Sequence, residues 1–483
     1  MKQEPRILND QTILQLFNLS PDKVEKIAFE NRRDALYIMI TLSKEEQVCP
    51  VCLNKTSKVK DYTKKKILHA AITHKACYIE YRARRYICPT CKKSFAEHNP
   101  FSYKNQKLSA LTVSNVLADL KSSHETFTSV AKRYGISTAT VTTLFDTHVQ
   151  IARRRLPKYL TIDEVYAFKS DRSNYVCVLV DYLNKTTVDL LPSRKKQDLL
   201  LYFNQIPLEE RKEVLLVGID MWHTYRSVTK IAFPKAKCVL DKFHLIAEFH
   251  KRLDKLRIQI MKEIQPPKAW KKSSDIKKQC AYHDRDKQYY LLKKFNWLLM
   301  KNDESIIEID NKKWRLLDPN IPKKKNRKLG RYCNYYDIRE MILEIDQRLI
   351  TALNLKYTLD TFYKEATLET AKTKLESLIL DMSNSEIPGF VSFSHTLINW
   401  KNEIINSFQL IEKVIQVKDK ETGKMKHVLT RKRLNNGIIE NRNKVIKQIK
   451  HNSNGFHNWE RFRNRVLYAI NDDSTYRIYS TKL

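Results

Sequence analysis

Three acidic residues stand in frames that suit metal-dependent chemistry. Asp163 closes the apolar run Tyr159-Leu160-Thr161-Ile162, and Asp220 closes Val214-Leu215-Leu216-Val217-Gly218-Ile219. Glu440 lies far downstream in a helical stretch, Asn435-Asn436-Gly437-Ile438-Ile439-Glu440-Asn441-Arg442-Asn443. Carboxylates at the ends of buried strands are costly unless something pairs with them. Two divalent ions, magnesium or manganese, are a common reason to gather three of them. Such a pair can activate a water or a DNA 3′-hydroxyl and stabilise the leaving oxygen. Without metal the three charges repel and at least one pKa rises. Glu164 alternates to the other face of its strand and is the weaker candidate.

A second constellation is made of cysteines. Cys49-Pro50-Val51-Cys52 and Cys88-Pro89-Thr90-Cys91 are two Cys-x-x-Cys knuckles, which read as one tetrahedral zinc site. The 35 residues between them (53–87) exceed the usual ribbon spacing, so the knuckles carry the argument and the gap only permits it. Four thiolates leave no open position, which makes this one zinc structural. Cys77 and His98 are alternative ligands, although a lone Cys or His is more often simply packed. The run 77–86 reads as a strand with exposed arginines.

The elements that must hold these residues follow from periodicity. Residues 108–148 read as helical. Within them, 127–141 has helix-turn-helix form: Ala131 is small where two helices touch, Gly135 makes the turn and Ser137 caps the second helix. That helix would offer Thr138, Thr140 and Thr142 to a DNA groove; a plain helical hairpin is the alternative. Residues 158–258 read β-β-β-α-β-α-β-α, the layout of a ribonuclease-H-like sheet, in which the first and fourth strands are neighbours and bring Asp163 beside Asp220. Residues 259–430 read as helical, with helices over 335–356, 359–382 and 391–417. The basic run 322–328 is either a phosphate contact or a solvated loop. Two amphipathic helices close the chain, and Lys444 and Lys447 on the first of them face DNA phosphate.

The expected fold is multidomain α+β. It comprises a zinc-ribbon unit (1–100), a helix-turn-helix unit (101–152), a ribonuclease-H-like core (153–258), an all-helical insertion (259–430) and the carboxyl-terminal helices of the core (431–483). Composition agrees with it. The 483 residues carry 89 Lys+Arg against 54 Asp+Glu, a formal charge of +35, which points to a polyanionic partner, double-stranded DNA. Hydrophobic content of 42% supports packed cores and argues against general disorder. No stretch is apolar enough to span a membrane, and Met1 to Arg6 has no signal-peptide core, so a cytoplasmic protein without disulfides is expected.

The chain resembles bacterial insertion-sequence transposases of the aspartate–aspartate–glutamate type, most closely the ISL-three family. The resemblance rests on the paired knuckles and on Thr161-Ile162-Asp163-Glu164, Ile219-Asp220-Met221-Trp222 and Asp241-Lys242-Phe243-His244-Leu245. It continues in Asn436 to Lys447 and in Gly455 to Arg463. It implies that Asp163, Asp220 and Glu440 are the catalytic triad, that the 219 residues between the last two (221–439) house an insertion, and that Asp241 and His244 orient the site or a flipped base. His244 also reads as an ordinary buried histidine. The resemblance further implies a bacterial, nucleoid-associated protein, binding of the element's inverted-repeat ends, nicking, and joining of a 3′-hydroxyl to target DNA without a covalent protein–DNA intermediate. Synapsis of two ends implies a homodimer or higher assembly. Two other readings remain open here. One is a catalytically inactive, transposase-derived DNA-binding protein. The other is a structure-selective nuclease on the same fold, which would not need two amino-terminal DNA-reading modules. His223 reads as a phosphate contact or a surface residue, and Trp222 as a core residue rather than a base-stacking platform.

Overall fold

The computed structural model describes Leu14 and residues 20–32, 35–72, 75–102, 106–171, 173–301, 303–309, 311–418, 423 and 425–477. Met1 to Arg6 lies outside the described residues. The amino-terminal unit contains β1 (Val24–Arg32), β2 (Ala35–Leu42), β3 (Gln47–Val48), β4 (Lys55–Thr56), β5 (Val59–Ile72), β6 (Lys75–Ile87) and β7 (Ser94–Ala96). They form a sheet in the order β1-β2-β6-β5, with β7 added to β6, and a small β3–β4 hairpin. Alternation along β2 buries Ile38, Ile40 and Leu42 against Ile67, Ile79 and Tyr81. The long β5–β6 hairpin explains the wide gap between the knuckles: the chain leaves the first, runs out and back, and returns beside it. Cys77 packs into the sheet core and His98 is exposed, so neither joins the knuckles. The arginines of β6 divide. Arg82 and Arg85 are exposed, whereas Arg84 is buried and donates to the Leu42 carbonyl (2.6 Å) and Glu97 (3.4 Å), as a buried guanidinium must.

Three helices follow, α1 (Ala110–Asp119), α2 (Phe127–Tyr134) and α3 (Thr138–His148). Gly135 ends α2 at φ +64°, a left-handed conformation that side chains with a Cβ disfavour. Ser137 caps α3 by accepting from the Thr140 N–H. Val130, Ala131, Val141 and Phe145 share a core with Leu68 of β5 and Tyr468 near the end of the chain.

A mixed sheet with helices on both faces comes next: β8 (Tyr159–Tyr166), β9 (Tyr175–Asp181), β10 (Thr187–Leu191), α4 (Lys196–Asn204), α5 (Leu208–Lys212), β11 (Leu216–Ile219), α6 (His223–Ala232), β12 (Lys237–Leu240) and α7 (Lys242–Glu263). Its strand order is β10-β9-β8-β11-β12; the first three are antiparallel, and β11 and β12 run parallel to β8. The element order matches the sequence reading, with the short α5 added. Strand β8 does not end at Asp163. It continues to Tyr166, because Val165 is buried and Glu164 to Tyr166 stay paired with Tyr175 to Cys177.

The region after the sheet corrects the sequence reading. It contains α8 (Ile276–Lys294), α9 (Trp297–Met300), β13 (Ile306–Ile309), β14 (Lys312–Arg315), β15 (Lys324–Asn326), β16 (Arg331–Cys333), α10 (Tyr335–Leu343), α11 (Gln347–Glu365), α12 (Ala371–Ser383), α13 (Pro388–Asn399), α14 (Lys401–Asn406), β17 (Leu410–Lys418) and β18 (Met425–Arg433). Among its described residues the insertion is therefore mainly helical, with three β-hairpins. The helix expected over 335–356 breaks where Asp346 caps α11, and those expected over 359–382 and 391–417 break at Ala366 and at Trp400. Val414, Ile415, Val417 and Val428 are β-branched, which favours the strands found there. In the basic run 322–328, Lys323 pairs with Asp337 (2.9 Å) and Lys328 with Asp286, so part of its charge is met within the chain. Helix α7 passes residue 258 unbroken and buries Leu253, Leu256 and Ile260 in the core that covers one face of the mixed sheet. The chain closes with α15 (Gly437–Asn452) and α16 (Trp459–Ile470), whose Ile439, Ile446, Ile449, Phe462 and Val466 cover the other face.

Candidate active site

Parallel pairing brings the first two acids together. Leu216, Val217 and Gly218 of β11 lie opposite Tyr159, Leu160 and Thr161 of β8. Asp220 is two residues beyond Gly218 and Asp163 two beyond Thr161, so the carboxylates emerge side by side on one face of the sheet. Gly218 has a specific task there. A Cβ at this position would stand 2.3 Å from Leu434 Cδ2 and 3.1 Å from Thr161 Cγ2. The missing side chain lets Leu434 and Asn436, which lead into α15, seat directly on the strand.

Helix α15 then grips both aspartates. Asn436 Nδ2 donates to Asp220 Oδ1 and Asn443 Nδ2 donates to Asp163 Oδ2, each at 2.7 Å. The two asparagines stand four residues before and three after Glu440, so all three share one face of the helix. Asp163 also accepts the Glu164 N–H at 2.7 Å, and His244 Nε2 lies 2.9 Å from Asp220 Oδ1. Burial, followed by the neighbouring charge of Asp220, pushes the Asp163 carboxyl up to about 8. Donation of its Nε2–H to Asp220 raises the His244 imidazole to about 8. Asp241, whose side chain is 1% exposed, is raised to about 6 chiefly by burial, and lies 3.9 Å from His244. His244 is thus half-exposed and within hydrogen-bond distance of Asp220, not an ordinary buried histidine.

Glu440 is exposed, and its negative charge reaches Asp241. Among the described residues, the only set of three or more His, Cys, Asp or Glu ligand atoms within 4.8 Å of one another is the four cysteines. The structure therefore joins Asp163 to Asp220 and leaves the Glu440 carboxylate on the same helix face, outside that shell. The donors present suit hard divalent cations: oxygen ligands, one carboxyl destabilised by a like charge, and a buried acid beside them. Glu164 points to the opposite face, where Arg194 (2.7 Å) and Tyr225 (2.7 Å) hold it. Beside Asp220 opens a cleft of about 760 Å³ lined by Arg194, Trp222, His223, His244 and Lys251 among others. Trp222 is half-buried, 4.8 Å from the Tyr225 ring, and His223 is exposed, 5.2 Å from the Trp400 ring.

Sequence reasoning gave no role to Asn436, Asn443 or Gly218. Helical spacing around Glu440 was the available signal for the first two. A glycine inside a buried apolar strand was the signal for the third.

The knuckles converge as expected. Cys49 Sγ lies 3.5 Å from Cys91 Sγ and Cys52 Sγ 3.4 Å from Cys88 Sγ. Edges near ~3.8 Å are what a tetrahedral zinc with Zn–S of about 2.3 Å requires. The Cys91 backbone N–H draws the Cys88 thiol down to about 6, which favours the thiolate that zinc binds. On α3, Thr138 is exposed, while the Thr140 hydroxyl lies 2.8 Å from Ser137 Oγ and Thr142 donates to the Thr138 carbonyl at 2.8 Å. Lys444 and Lys447 are exposed on α15. No described helix is long and apolar enough to cross a membrane.

Comparison with known proteins identifies the family. The family model of the ISL3 DDE transposases, described as transposase, matches residues 160–416 and 409–466. The zinc finger of the IS204/IS1001/IS1096/IS1165 transposases matches residues 45–91. The transposase for insertion sequence element IS1001 of Bordetella parapertussis is 21% identical over 289 residues, 59% of this chain and 66% of that protein, just under two thirds of its length. With a family match over most of its length and a transposase-type zinc finger ahead of it, the chain belongs to the ISL3 family of DDE transposases.

Proposed function

We propose that this chain is an active DNA transposase that binds the inverted-repeat ends of its own insertion sequence and catalyses metal-dependent strand cleavage and strand transfer. The observation that carries the reading is the pairing of Asp163 with Asp220 by strand register, clasped by Asn443 and Asn436 from the helix that bears Glu440. The strand order supports a ribonuclease-H-like core, and the Gly135 turn with its capped α3 supports a helix-turn-helix.

In this reading Asp163 and Asp220 would hold the metal through carboxylate oxygens, with Glu440, exposed on the neighbouring helix, as the third ligand. Bound magnesium or manganese, two ions per site, would acidify the attacking hydroxyl and neutralise the leaving oxygen. His244 fixes the orientation of Asp220, and Asp241 supports His244 in turn. Asn436 and Asn443 hold the aspartates so that their remaining lone pairs face outward. Water attacks a phosphodiester at the element end and its P–O bond to the 3′-oxygen breaks; the freed 3′-hydroxyl then attacks a target phosphorus, whose own P–O bond to the 3′-oxygen breaks and releases a target 3′-hydroxyl. Thr138, Thr140 and Thr142 lie toward the DNA groove, and the single structural zinc stabilises the amino-terminal reading unit. Two ends brought together require at least two chains.

The test is cleavage of a labelled element-end duplex with magnesium, mapped to strand and position. A nick that exposes the element's 3′-hydroxyl, lost in Asp220→Asn, is the expected result. Binding without any cleavage would favour a DNA-binding protein that has lost catalysis. Cleavage of branched DNA with indifference to the element end would favour a nuclease.

A further inference from the structure

The reading unit and the cutting site are bolted to opposite ends of one helix. At its start Asn436 and Asn443 hold the aspartates, with Glu440 exposed between them in sequence. At its end Gln448 meets His124 at 3.0 Å in the loop between α1 and α2. Helix α16 fastens the same loop: buried Arg465 donates to the carbonyls of Ser122 and Glu125, each at 2.7 Å. Arg461 pairs with Asp146 on α3 at 2.6 Å. The two arginine contacts are charge-assisted, and with the core that Val130, Ala131, Val141 and Phe145 share with Tyr468 they tie α1–α3 to the closing helices.

The outward stripe of α15 reads Glu440, Lys444, Lys447, His451, at spacings of four, three and four, and all four are exposed. Residues 441–452 include Arg442, Lys444, Lys447, Lys450 and His451 and no acid. Lys444 and Lys447 have no ion-pair partner among the described residues. A basic line that ends at a carboxylate site is complementary to a phosphate backbone.

We propose, building on the transposase reading, that one DNA end lies along α15 and is read and cut by the same chain, with the helix as a ruler. From Glu440 to Asn452 the helix rises ~18 Å. At 3.4 Å per base pair that is about five base pairs. The segment contacted by α3 therefore begins about five or more base pairs from the cut phosphodiester, and Lys444 and Lys447 hold the phosphates between.

The test uses the full chain, magnesium and a labelled duplex carrying its element end. Cleavage of the unaltered duplex is established first; its failure belongs to the transposase reading and not to the ruler. Insertion of about five base pairs, half a helical turn, between the footprint of α3 and the cut is then expected to leave binding within about twofold and to lower cleavage at the original junction roughly 100-fold. The double variant Lys444→Ala, Lys447→Ala is expected to reduce the slope of log affinity against log salt by about 2, one unit per phosphate contact. Unchanged cleavage at the original junction after insertion, or an unchanged salt slope in a variant with normal thermal unfolding, overturns the proposal.

Discussion

The cysteine site and the carboxylate site both gather like-charged ligands, and they do so by opposite means. Each cysteine knuckle is prepared by its own turn: Leu53 and Lys92 adopt φ of +61° and +60°, and their N–H groups return to the Cys49 and Cys88 carbonyls at 3.1 and 3.0 Å. Only the closure of two finished halves is left to the long β5–β6 hairpin. The carboxylate site has no finished half. Asp163 needs the β8–β11 register, Asp220 needs the end of β11, and Glu440 needs α15 to land on the sheet after an excursion of more than two hundred residues. That landing is fixed by Arg433, which donates to the Tyr363 and Ala366 carbonyls (2.9 and 2.7 Å), and by Leu434 over Gly218. A locally built site tolerates change at a distance; a site assembled from remote elements inherits the packing of everything between them.

The largest expected effect separates chemistry from binding. If the proposed triad is right, Asp163→Asn, Asp220→Asn or Glu440→Gln should lower cleavage of an element-end duplex by roughly 10³-fold or more, while gel-shift affinity stays within a few-fold, because each would remove a metal ligand and not a DNA contact. Any of the three that cleaves at near-normal rate leaves the triad. The cysteine site should fail in the opposite sense. Metal analysis should find about one zinc per chain, and chelation or Cys88→Ser should unfold the amino-terminal unit, since zinc binding supplies folding free energy directly. Element-end affinity should collapse, while the second thermal transition, from the mixed-sheet core, stays in place. A single transition shifted as a whole would show that the two regions are not separable.

Gly218 tests the remote assembly itself. In Gly218→Ala the new methyl group must displace buried Leu434, at about 1–3 kcal/mol. The shift is passed to Asn436 and so to Asp220. Cleavage should therefore fall about 10-fold or more at temperatures where the variant remains folded by circular dichroism. Adding Leu434→Ala opens space for the methyl and should restore part of the cleavage although it removes core volume. If the double variant is worse than either single one, Gly218 acts through stability alone.

How much of this was legible follows the same division. The knuckles, the Gly135 turn and the Ser137 cap are local, and their residue types declare them. The strand order was legible because the alternation of short apolar runs with helices leaves few topologies. The insertion departs from its helical periodicity where β-branched residues sit at helix-compatible spacing, as along Val414 to Val417, and where Asp346 breaks a helical pattern by capping. Strand β8 was ended too soon because a buried aspartate looks like a terminus until Asn443 is known to satisfy it. Those partners lie 280 residues apart, a separation across which local periodicity carries no information.

The smallest effects lie on α3, and they refine the contrast within a single locally built element. Thr138, Thr140 and Thr142 were grouped by their spacing, but their hydroxyls are not equivalent. Thr140 meets Ser137 in the helix cap and Thr142 donates to a backbone carbonyl, whereas Thr138 is exposed. A hydroxyl already engaged by its own helix offers DNA mainly its methyl group. Thr138→Ala should therefore reduce discrimination between the element end and unrelated duplex by about 1 kcal/mol, the lower end of what a direct base contact provides. Thr142→Val, which keeps the methyl shape, should change it by less. The measurement is competition binding at fixed salt, because phosphate contacts would weaken both duplexes alike. Equal losses at Thr138 and Thr142 would mean that α3 meets DNA along its length and not by its amino-terminal turn.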